Sequence, residues 1–296
     1  MFLSLNMDKN IEIIIISGPT ASGKTKKAVE ICKEKNGEII SCDSRQVYKY
    51  LDVGLNKEGV LLESGLREID GVLQHLTDII SPDQSYNVAN FIEDADLKII
   101  EIINKGKIPV ITGGTGLYIK SLLYGLDKMP KADESLRYEL KDKSRVELYN
   151  RLLKLDPESA EKNKKNPQRL LRAVEVNMLS GKTMREHFKI KRPRYKFNHY
   201  SVFIEKKTLY NKINERCKYM IENGMIEETQ KVLDMGFNED CFALSGIGYK
   251  YAVRYLTGKT SLEDLILEFS KNTRNYAKQQ ITWFKAQPDI KFINGK

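Results

Sequence analysis

The sequence has few cysteines, and their spacing excludes two kinds of site. The four are Cys32, Cys42, Cys217 and Cys241, and no two of them form a C-x-x-C pair. Such spacing fits neither a zinc site nor a disulfide framework. We therefore expect reduced thiols, which are typical of cytosolic proteins.

Long hydrophobic runs are also missing. No stretch approaches the ~18 consecutive apolar residues that a membrane-spanning helix needs. The first residues have too short an apolar stretch for a secretory signal, and the isoleucines at 13–16 lead into a glycine-rich loop rather than a cleavage site. The sequence therefore predicts a cytoplasmic protein with no membrane partner.

The chain has enough hydrophobic residues to form a substantial core. The chain has 296 residues, of which 41% are hydrophobic, and this length predicts about two domains or one domain with an insertion. There are 49 basic and 40 acidic residues, a net charge of +9. The net charge alone leaves a nucleic-acid partner and a merely solvated surface equally open.

Apolar patterns in the first part of the chain predict an α/β core. Residues 11–17 are nearly all isoleucine, which is typical of a strand buried on both faces of a parallel sheet. Further strands are predicted at 38–42 and 108–112, and the apolar spacing at 86–104 predicts a helix between them. Strands that alternate with helices favour a doubly wound α/β fold.

The chain changes character after residue 126. Residues 127–197 have helical patterns, 20 basic residues and 11 acidic ones, whereas the rest of the chain is balanced at 29 of each. We predict an all-helical basic insertion at 127–197 that binds nucleic acid, within a core formed by 1–126 and 198–296. Later predicted elements are a strand at 200–204 and helices at 209–223, 226–233, 249–256 and 261–284.

A phosphate-binding motif, here called the phosphate loop, follows the first predicted strand. Residues 18–25 read Gly-Pro-Thr-Ala-Ser-Gly-Lys-Thr and match G-x-x-x-x-G-K-[ST] in full. Glycines let backbone N–H groups point at a phosphate, Lys24 adds charge, and the Thr25 hydroxyl suits Mg²⁺. The ligand stays open, because a nucleoside triphosphate or any diphosphate with Mg²⁺ would satisfy these groups. Two other Gly-Lys-Thr runs, at 181–183 and 258–260, lack the first glycine and are predicted to end helices.

Two more polar loops follow the next predicted strands. Asp43 follows the strand at 38–42, and Thr115 lies in the Gly-Gly-Thr-Gly run at 113–116, here called the glycine loop. Ligands of open parallel sheets bind at the carboxyl ends of strands, so both residues are expected to face the phosphate loop. A helix N-cap for Asp43 and a plain tight turn for the glycines remain alternatives.

Nine short stretches, taken in order, make the chain similar to the tRNA dimethylallyltransferases, also called tRNA isopentenyltransferases. They are GPTASGKT at 18–25, DS followed two residues later by VY at 43–48, HLTDI at 75–79, SPDQSYNVANF at 81–91, GGTGLY at 113–118, PQRLLRAVEV at 167–176, SGKT at 180–183, GIGYK at 246–250 and TRNYAKQQITWF at 273–284. Nine ordered matches are far more specific than the phosphate loop alone. No zinc-finger pattern follows Trp283, so the chain resembles the bacterial form.

This resemblance implies a P-loop NTPase-like core and a particular reaction. The family transfers the dimethylallyl group of dimethylallyl diphosphate, with Mg²⁺, to the exocyclic amine of an adenosine in tRNA. The target is the adenosine 3′-adjacent to anticodons that read U-initial codons, and it is flipped into a channel. We expect a monomer that contacts the anticodon stem-loop. By resemblance, Asp43 accepts the amine proton, Lys24 stabilises the leaving diphosphate, and Thr115 lies at the reacting centre.

Binding residues also follow from the resemblance. Those implied for the diphosphate are Gly18, Pro19, Thr20, Ala21, Ser22, Gly23, Lys24, Thr25, Lys206 and Lys212, with Thr25 near the metal ion. Those implied for tRNA are Asp43, Ser44, Arg45, Gln46, Thr115, Arg137, Gln168, Arg169, Leu170, Leu171 and Arg172. For any single arginine, a surface salt bridge is the alternative.

Some positions depart from the family pattern. Lys206 and Lys212 stand where many members have arginines, so charge is kept but the bidentate guanidinium is lost. The usual Lys-Arg-Gln near the C-terminal end is Lys278-Gln279-Gln280 here.

Three other functions share part of this pattern. They are an ATP-dependent small-molecule kinase, an enzyme that prenylates free adenine nucleotides, and an RNA-binding module with a vestigial nucleotide site. His75 could also suggest catalysis, although we expect a structural role at the start of its turn.

Overall fold

The computed structural model describes residues 11–188 and 192–295. Its backbone separates into two compact units. The first comprises Met1–Tyr124 and Pro193–Lys296, and the second comprises Gly125–Arg192. No helix within the described ranges is long and apolar enough to cross a membrane.

An eight-stranded sheet forms the centre of the first unit. In chain order its strands are β1 (Glu12–Ser17), β2 (Gly37–Ser41), β3 (Val60–Leu61), β4 (Arg67–Ile69), β5 (Val72–His75), β6 (Ile108–Gly113), β7 (Lys196–Phe203) and β8 (Lys291–Asn294). Their order across the sheet is β3-β4-β5-β2-β6-β1-β7-β8. The run from β5 to β8 pairs in parallel, and β3 and β4 add an antiparallel edge.

Helices connect these strands and also build the second unit. The first unit contains α1 (Lys24–Lys35), α2 (Val88–Asn104) and α3 (Gly116–Tyr124). The second contains α4 (Glu134–Leu140), α5 (Arg145–Leu155), α6 (Pro157–Asn163), α7 (Pro167–Ser180) and α8 (Met184–His187). The chain then returns to the first unit with α9 (Lys206–Glu222), α10 (Met225–Asp234), α11 (Tyr249–Leu256) and α12 (Leu262–Lys285).

Strand β1 shows why an unbroken isoleucine run suits the middle of this sheet. Ile13 and Ile15 are buried in the cluster that includes α2 and α3, whereas Ile14 and Ile16 are buried against α1 on the other face. Successive side chains of a strand point to opposite faces, so both faces need apolar residues. The predicted strand buried on both sides is confirmed.

The structure corrects part of the predicted strand pattern. Strands β3, β4, β5 and β8 were not expected, and β7 begins at Lys196 instead of residue 200. The predicted end of the insertion, residue 197, therefore lies inside β7. Two hydrogen bonds join the end of α3 to the residues just before β7. Arg194 N donates to Leu123 O at 2.7 Å, and Arg194 Nη1 donates to Leu122 O at 3.1 Å.

The second unit has its own small core. Buried side chains from α4, α5, α6 and α7 form it, among them Leu140, Leu152, Ala160 and Leu170. Gly181 ends α7 in the left-handed conformation, with φ of 66°, and Gly258 follows α11 with φ of 69°. Both Gly-Lys-Thr runs are thus turns after helices, as predicted.

Candidate active site

The phosphate loop joins β1 to α1 at the carboxyl edge of the sheet. Gly23 precedes the helix with φ of 81°, in a conformation that favours glycine. The first turn of α1 receives no hydrogen bond from a capping side chain. Its N–H groups are therefore available to an anion, which the helix dipole also favours.

Lys24 supplies a positive charge with little protein compensation. Its Nζ donates weakly to Pro19 O at 3.5 Å, and the side chain is half-buried. The Lys24 pKa is lowered to about 8, mainly by burial and secondly by the nearby Arg216, while Asp43 and Glu58 act in the opposite direction. A cation whose pKa is lowered in this way gains from binding an anion.

Arg216, on α9, is a second cation at the same place. Its Nη2 donates to the hydroxyl of Thr20 in the phosphate loop, whereas its buried Nε has no hydrogen-bond partner among the described residues. Burial lowers the Arg216 pKa. Lys24 and Arg216 together form a cationic pair that suits a phosphate or diphosphate.

Asp43 follows β2 and begins a tight turn. Its Oδ1 accepts hydrogen bonds from Arg45 N at 2.8 Å and Gln46 N at 3.4 Å. The carboxylate acts electrostatically on both Lys24 and Arg216. The structure thus brings the predicted base and the cationic pair together.

The neighbours of Asp43 are held by protein groups. Arg45 Nη1 donates to Phe242 O at 2.6 Å and to Ser245 Oγ at 3.1 Å. Gln46 Oε1 accepts from Ser41 Oγ at 3.1 Å. The amide nitrogen of the same Gln46 donates to Leu55 O at 3.2 Å and Asn56 O at 3.3 Å. The turn is therefore rigidly positioned.

The glycine loop is packed tightly on every side. A Cβ atom on Gly113 would lie 2.1 Å from Cys42 O, and one on Gly114 would lie 2.2 Å from Gln280 Nε2. At Gly116 it would lie 2.4 Å from the Trp283 ring. Each glycine is required because another part of the protein fills the space that a side chain would need.

Thr115 places a hydroxyl inside this packed loop. Its Oγ1 is buried and forms no well-defined hydrogen bond within the described ranges. Tyr276 on α12 lies beside it: burial raises the Tyr276 pKa, Asp43 raises it further, and the Thr115 hydroxyl partly offsets both. Thr115 and Tyr276 are thus neutral polar groups near the carboxylate of Asp43.

One cavity of about 590 Å³ collects most of these groups. Predicted residues that line it are Thr20, Ala21, Gly23, Lys24, Thr25, Asp43, Ser44, Arg45, Gln46 and Lys212. Residues that sequence reasoning missed are Glu58, Arg216 and Tyr276, together with the apolar Cys217, Met220, Ile247 and Phe269. The cavity therefore offers a cationic end and an apolar wall to one ligand.

Other predicted residues do not line this cavity. Gly18, Pro19 and Ser22 belong to the phosphate loop without lining the cavity, and Thr115 does not line it either. Lys206 is exposed, and its Nζ lies 5.6 Å from the centre of the Tyr210 ring.

Predicted tRNA contacts in the second unit have a different environment. Arg137 and Arg172 both bind the buried carboxylate of Glu175, with Arg137 Nε 2.8 Å from Glu175 Oε1. Burial alone would raise the Glu175 pKa, but these hydrogen bonds outweigh burial and lower it. Arg137 and Arg172 therefore form salt bridges in this structure, which was the alternative to a tRNA contact.

Helix α7 carries the other predicted tRNA residues. Gln168 and Arg169 are exposed near its start, and Leu171 is half-buried. Leu170 is fully buried in the core of the second unit. The tRNA contact predicted for the segment 168–172 stays a prediction, and Gln168 and Arg169 are its exposed side chains.

His75 has a structural environment. It is fully buried, and its Nε2 lies 2.7 Å from Glu38 Oε2. Burial is the main reason that the His75 pKa is lowered. His75 does not line the cavity, in keeping with the expected structural role.

No cluster of three or more His, Cys, Asp or Glu side chains suited to a metal ion occurs in the described part of the chain. Among the many oxygen-bearing side chains that line the cavity, the Thr25 hydroxyl and the carboxylates of Asp43 and Glu58 are hard donors. Such a set fits Mg²⁺ when phosphate oxygens and water complete its coordination, as at many phosphate sites.

The parallel sheet and the phosphate loop define a P-loop α/β enzyme, and its cavity suits a phosphorylated ligand. More narrowly, the chain belongs to the IPP transferase family, whose profile matches residues 46–287. A profile described as isopentenyl transferase matches residues 11–68. The resemblance derived from nine short stretches is confirmed.

Individual relatives match almost the whole chain. A tRNA dimethylallyltransferase of Endomicrobium trichonymphae is 72% identical and covers 99% of both chains. One of Acetivibrio thermocellus is 40% identical, over 95% of this chain and 91% of its own.

Solved structures show the same similarity. The full-length tRNA isopentenylpyrophosphate transferase of Bacillus halodurans has a TM-score of 0.70 and 35% identity, over 97% of this chain and 90% of its own. A eukaryotic dimethylallyltransferase acting on tRNA has a TM-score of 0.78 and 25% identity, over 97% of this chain and 74% of its own.

Proposed function

We propose that the protein transfers the dimethylallyl group of dimethylallyl diphosphate to the exocyclic amine of an adenosine in tRNA. One observation carries the proposal: Lys24 and Arg216 form an incompletely paired cationic site in the same cavity as the Asp43 carboxylate. The names of the similar tRNA dimethylallyltransferases support this choice of substrates.

The proposed target is the adenosine 3′-adjacent to anticodons that read U-initial codons. This target rests on the resemblance, as do the anticodon stem-loop as contact region and a monomer as working form. A tRNA substrate also implies a cytoplasmic enzyme. The target base has to leave its stack to reach an enclosed cavity, as in other enzymes that modify bases.

The cationic end of the cavity binds the diphosphate in this proposal. Backbone N–H groups of the phosphate loop, Lys24 and Arg216 stabilise the negative charge that develops on the leaving group. Lys212 lines the same cavity four residues before Arg216 on α9, so both lie on one face of the helix. Lys206 is exposed and does not line it, so the geometry favours Lys212.

The chemical step exchanges one bond for another. The adenine nitrogen forms a bond to the allylic carbon, the bond from that carbon to the diphosphate oxygen breaks, and diphosphate departs with the bonding electrons. The nitrogen loses one proton, which Asp43 accepts. A positioned general base typically contributes about 10²–10⁴-fold to the rate.

The apolar wall has a role in the same step. Met220, Ile247 and Phe269 line the cavity with apolar groups, and burial raises the pKa of the Cys217 thiol, which keeps it in its weakly nucleophilic protonated form. We propose that they receive the prenyl group and protect its developing cationic character from hydrolysis. Thr115 and Tyr276, beside Asp43, are neutral donors suited to orienting the diphosphate or the base.

Mg²⁺ is part of the proposal. Thr25 would hold it, and oxygens of the diphosphate and water would complete its coordination. When bound, the metal would supply Lewis-acid neutralisation of the diphosphate charge.

We propose that the second unit contributes to tRNA binding. Residues 125–192 contain 18 basic and 11 acidic residues, so most of the net positive charge of the chain lies in this unit, and phosphate contacts dominate nucleic-acid affinity. Gln168 and Arg169 are exposed on α7 and available for such contacts. Arg137 and Arg172 would bind tRNA only through donors that Glu175 does not use.

The test combines unmodified tRNA of the stated class, dimethylallyl diphosphate and Mg²⁺, without ATP. Mass spectrometry of the digested tRNA should detect an adenosine heavier by one five-carbon prenyl unit. ATP consumption without this product would favour a kinase, prenylation of free AMP would favour the nucleotide enzyme, and tRNA binding without turnover would favour a passive RNA-binding module.

Asp43→Asn tests the proposed base. We expect kcat to fall by about 10²–10⁴-fold, because the amide cannot accept the proton, while tRNA affinity is nearly unchanged. Glu58→Gln is the matched control, since it removes another carboxylate that lines the same cavity. Equal losses in both variants, or parallel loss of tRNA affinity in Asp43→Asn, would contradict the assignment.

A further inference from the structure

Gln280 connects the two loops of the active site. Its side chain is buried on α12, where Oε1 accepts from Thr20 N at 2.9 Å and Nε2 donates to Gly114 O at 2.9 Å. The first partner can only donate and the second can only accept, so the network fixes the orientation of the amide. One side chain thereby bridges the phosphate loop and the glycine loop.

Both partners of Gln280 are held firmly. Thr20 is bound through its backbone N–H by Gln280 and through its hydroxyl by Arg216. Gly114 lies so close that a Cβ atom there would be 2.2 Å from Gln280 Nε2 and 3.3 Å from Gly18 O. Beyond the end of the β1–β6 pairing, which reaches Ser17 and Gly113, the side-chain link between the two loops among the described residues is this one amide.

Gln280 itself does not line the cavity, although residues on both loops do. Thr20, Lys24 and Thr25 line it from the phosphate loop, and Thr115 directly follows the Gly114 carbonyl that Gln280 binds. A change in this bridge would alter the position of the diphosphate relative to Thr115 without removing a group that contacts substrate.

We propose that Gln280 is a positioning residue that sets the distance between the phosphate loop and the glycine loop for prenyl transfer. This inference rests on the proposed function. Reaction rates depend on distances of about 1 Å between reacting groups, and such misplacement can cost about 100-fold. Gln280 therefore acts mainly on kcat, since the groups that bind the diphosphate remain present.

The kinetic test uses Gln280→Met, which keeps a similar length and loses both hydrogen bonds. Gln279→Met is the matched control, because Gln279 is the adjacent exposed glutamine on the same helix. With saturating tRNA, we expect Gln280→Met to lower kcat by about 10- to 100-fold per folded molecule, and to change KM for dimethylallyl diphosphate by less than about threefold. The control should stay within about twofold of the original protein.

Two kinetic results would overturn the inference. An unchanged kcat in Gln280→Met would mean that the bridge does not position reacting groups. A loss accounted for by the unfolded fraction, measured by thermal melting of the same samples, would leave only a structural role.

Amide hydrogen exchange of the ligand-free protein separates this inference from the proposed function. The Thr20 amide should exchange at least about tenfold faster in Gln280→Met than in Gln279→Met, because its acceptor is gone. Equal exchange would refute the bridge itself. If the original protein forms no prenylated adenosine while Thr20 exchange still depends on Gln280, then the proposed function fails and the positioning role in prenyl transfer falls with it.

Discussion

The phosphate loop follows β1 and the glycine loop follows the adjacent strand β6, and both are rich in glycine. In the phosphate loop, a Cβ atom on Gly23 would meet nothing within 4 Å. In the glycine loop, one on Gly113 would collide with the backbone of Cys42. Gly23 is therefore needed for its backbone conformation and for the open approach of a ligand, whereas Gly113 is needed because protein occupies the space of a side chain.

The two loops therefore differ in what their glycines serve, which is ligand binding in the phosphate loop and packing in the glycine loop. A glycine-rich sequence after a strand is compatible with either purpose, and only the neighbouring atoms distinguish them. The phosphate loop should therefore lose activity when altered but keep its fold, whereas the glycine loop should lose stability.

Among changes within the two loops, the largest effect is expected for Lys24→Met. We expect kcat/KM for dimethylallyl diphosphate to fall by about 10²–10³-fold, because a charge aimed at the leaving group is removed. Burial of this ammonium is unfavourable without a ligand, so the free energy of unfolding should stay equal or rise. Steady-state kinetics and denaturant unfolding measure both quantities, and a large loss of stability would contradict the contrast.

Gly113→Ala should have the opposite profile. Its Cβ would lie 2.1 Å from Cys42 O and 2.5 Å from Cys42 C, and backbone atoms of a central sheet cannot move aside. We expect the free energy of unfolding to fall by about 3 kcal/mol.

Gly23→Ala is the matched control for Gly113→Ala. With open space and φ of 81°, it should lose only about 1 kcal/mol from the strained backbone. Equal destabilisation of the two variants in denaturant unfolding would show that the loops do not differ as described.

The smallest expected effect is the change of diphosphate affinity with pH. The Lys24 pKa is lowered to about 8, first by burial and then by Arg216, so the free ammonium loses its proton as pH rises through about 8. Diphosphate binding favours the charged form, and affinity should therefore fall by up to about tenfold per pH unit above that value. Calorimetry with inorganic diphosphate measures this, and Lys24→Met corrects for titration of the ligand. An identical pH profile in that variant would refute the assignment.

The phosphate loop and the central strands could be predicted because their signals are local. Eight consecutive residues define the loop, and the isoleucines of β1 define a strand buried on both faces. Asp43 and Thr115 could be placed near the loop because parallel strands end at one edge.

The edge strands were missed although one local signal was present. Asp70 and Gly71 connect β4 to β5, with φ of 49° and 82°, as in a tight two-residue hairpin. An Asp-Gly pair between short strand-like runs is a recognised hairpin signal. Charged side chains such as Arg67 and Glu68 obscured the strand pattern around it.

Arg216 and Gln280 could not be assigned from local sequence. Arg216 binds Thr20 from 196 residues away, and Gln280 binds it from 260 residues away. Only the packing of α9 and α12 against the sheet edge brings these side chains to the phosphate loop. The resemblance likewise identifies the segment 168–172 but not which of its side chains face the core, as the buried Leu170 shows.

The contacts of Arg194 with Leu122 and Leu123 have a consequence for how the chain can vary. The polypeptide leaves the sheet after α3 and rejoins it at β7 through residues that are hydrogen-bonded to one another. The entropy of closing a loop grows only slowly with its length, so the sheet is nearly indifferent to how much chain lies between these two points. The second unit is therefore free to be lengthened, shortened or exchanged during evolution, while the chemistry at the sheet edge is inherited unchanged.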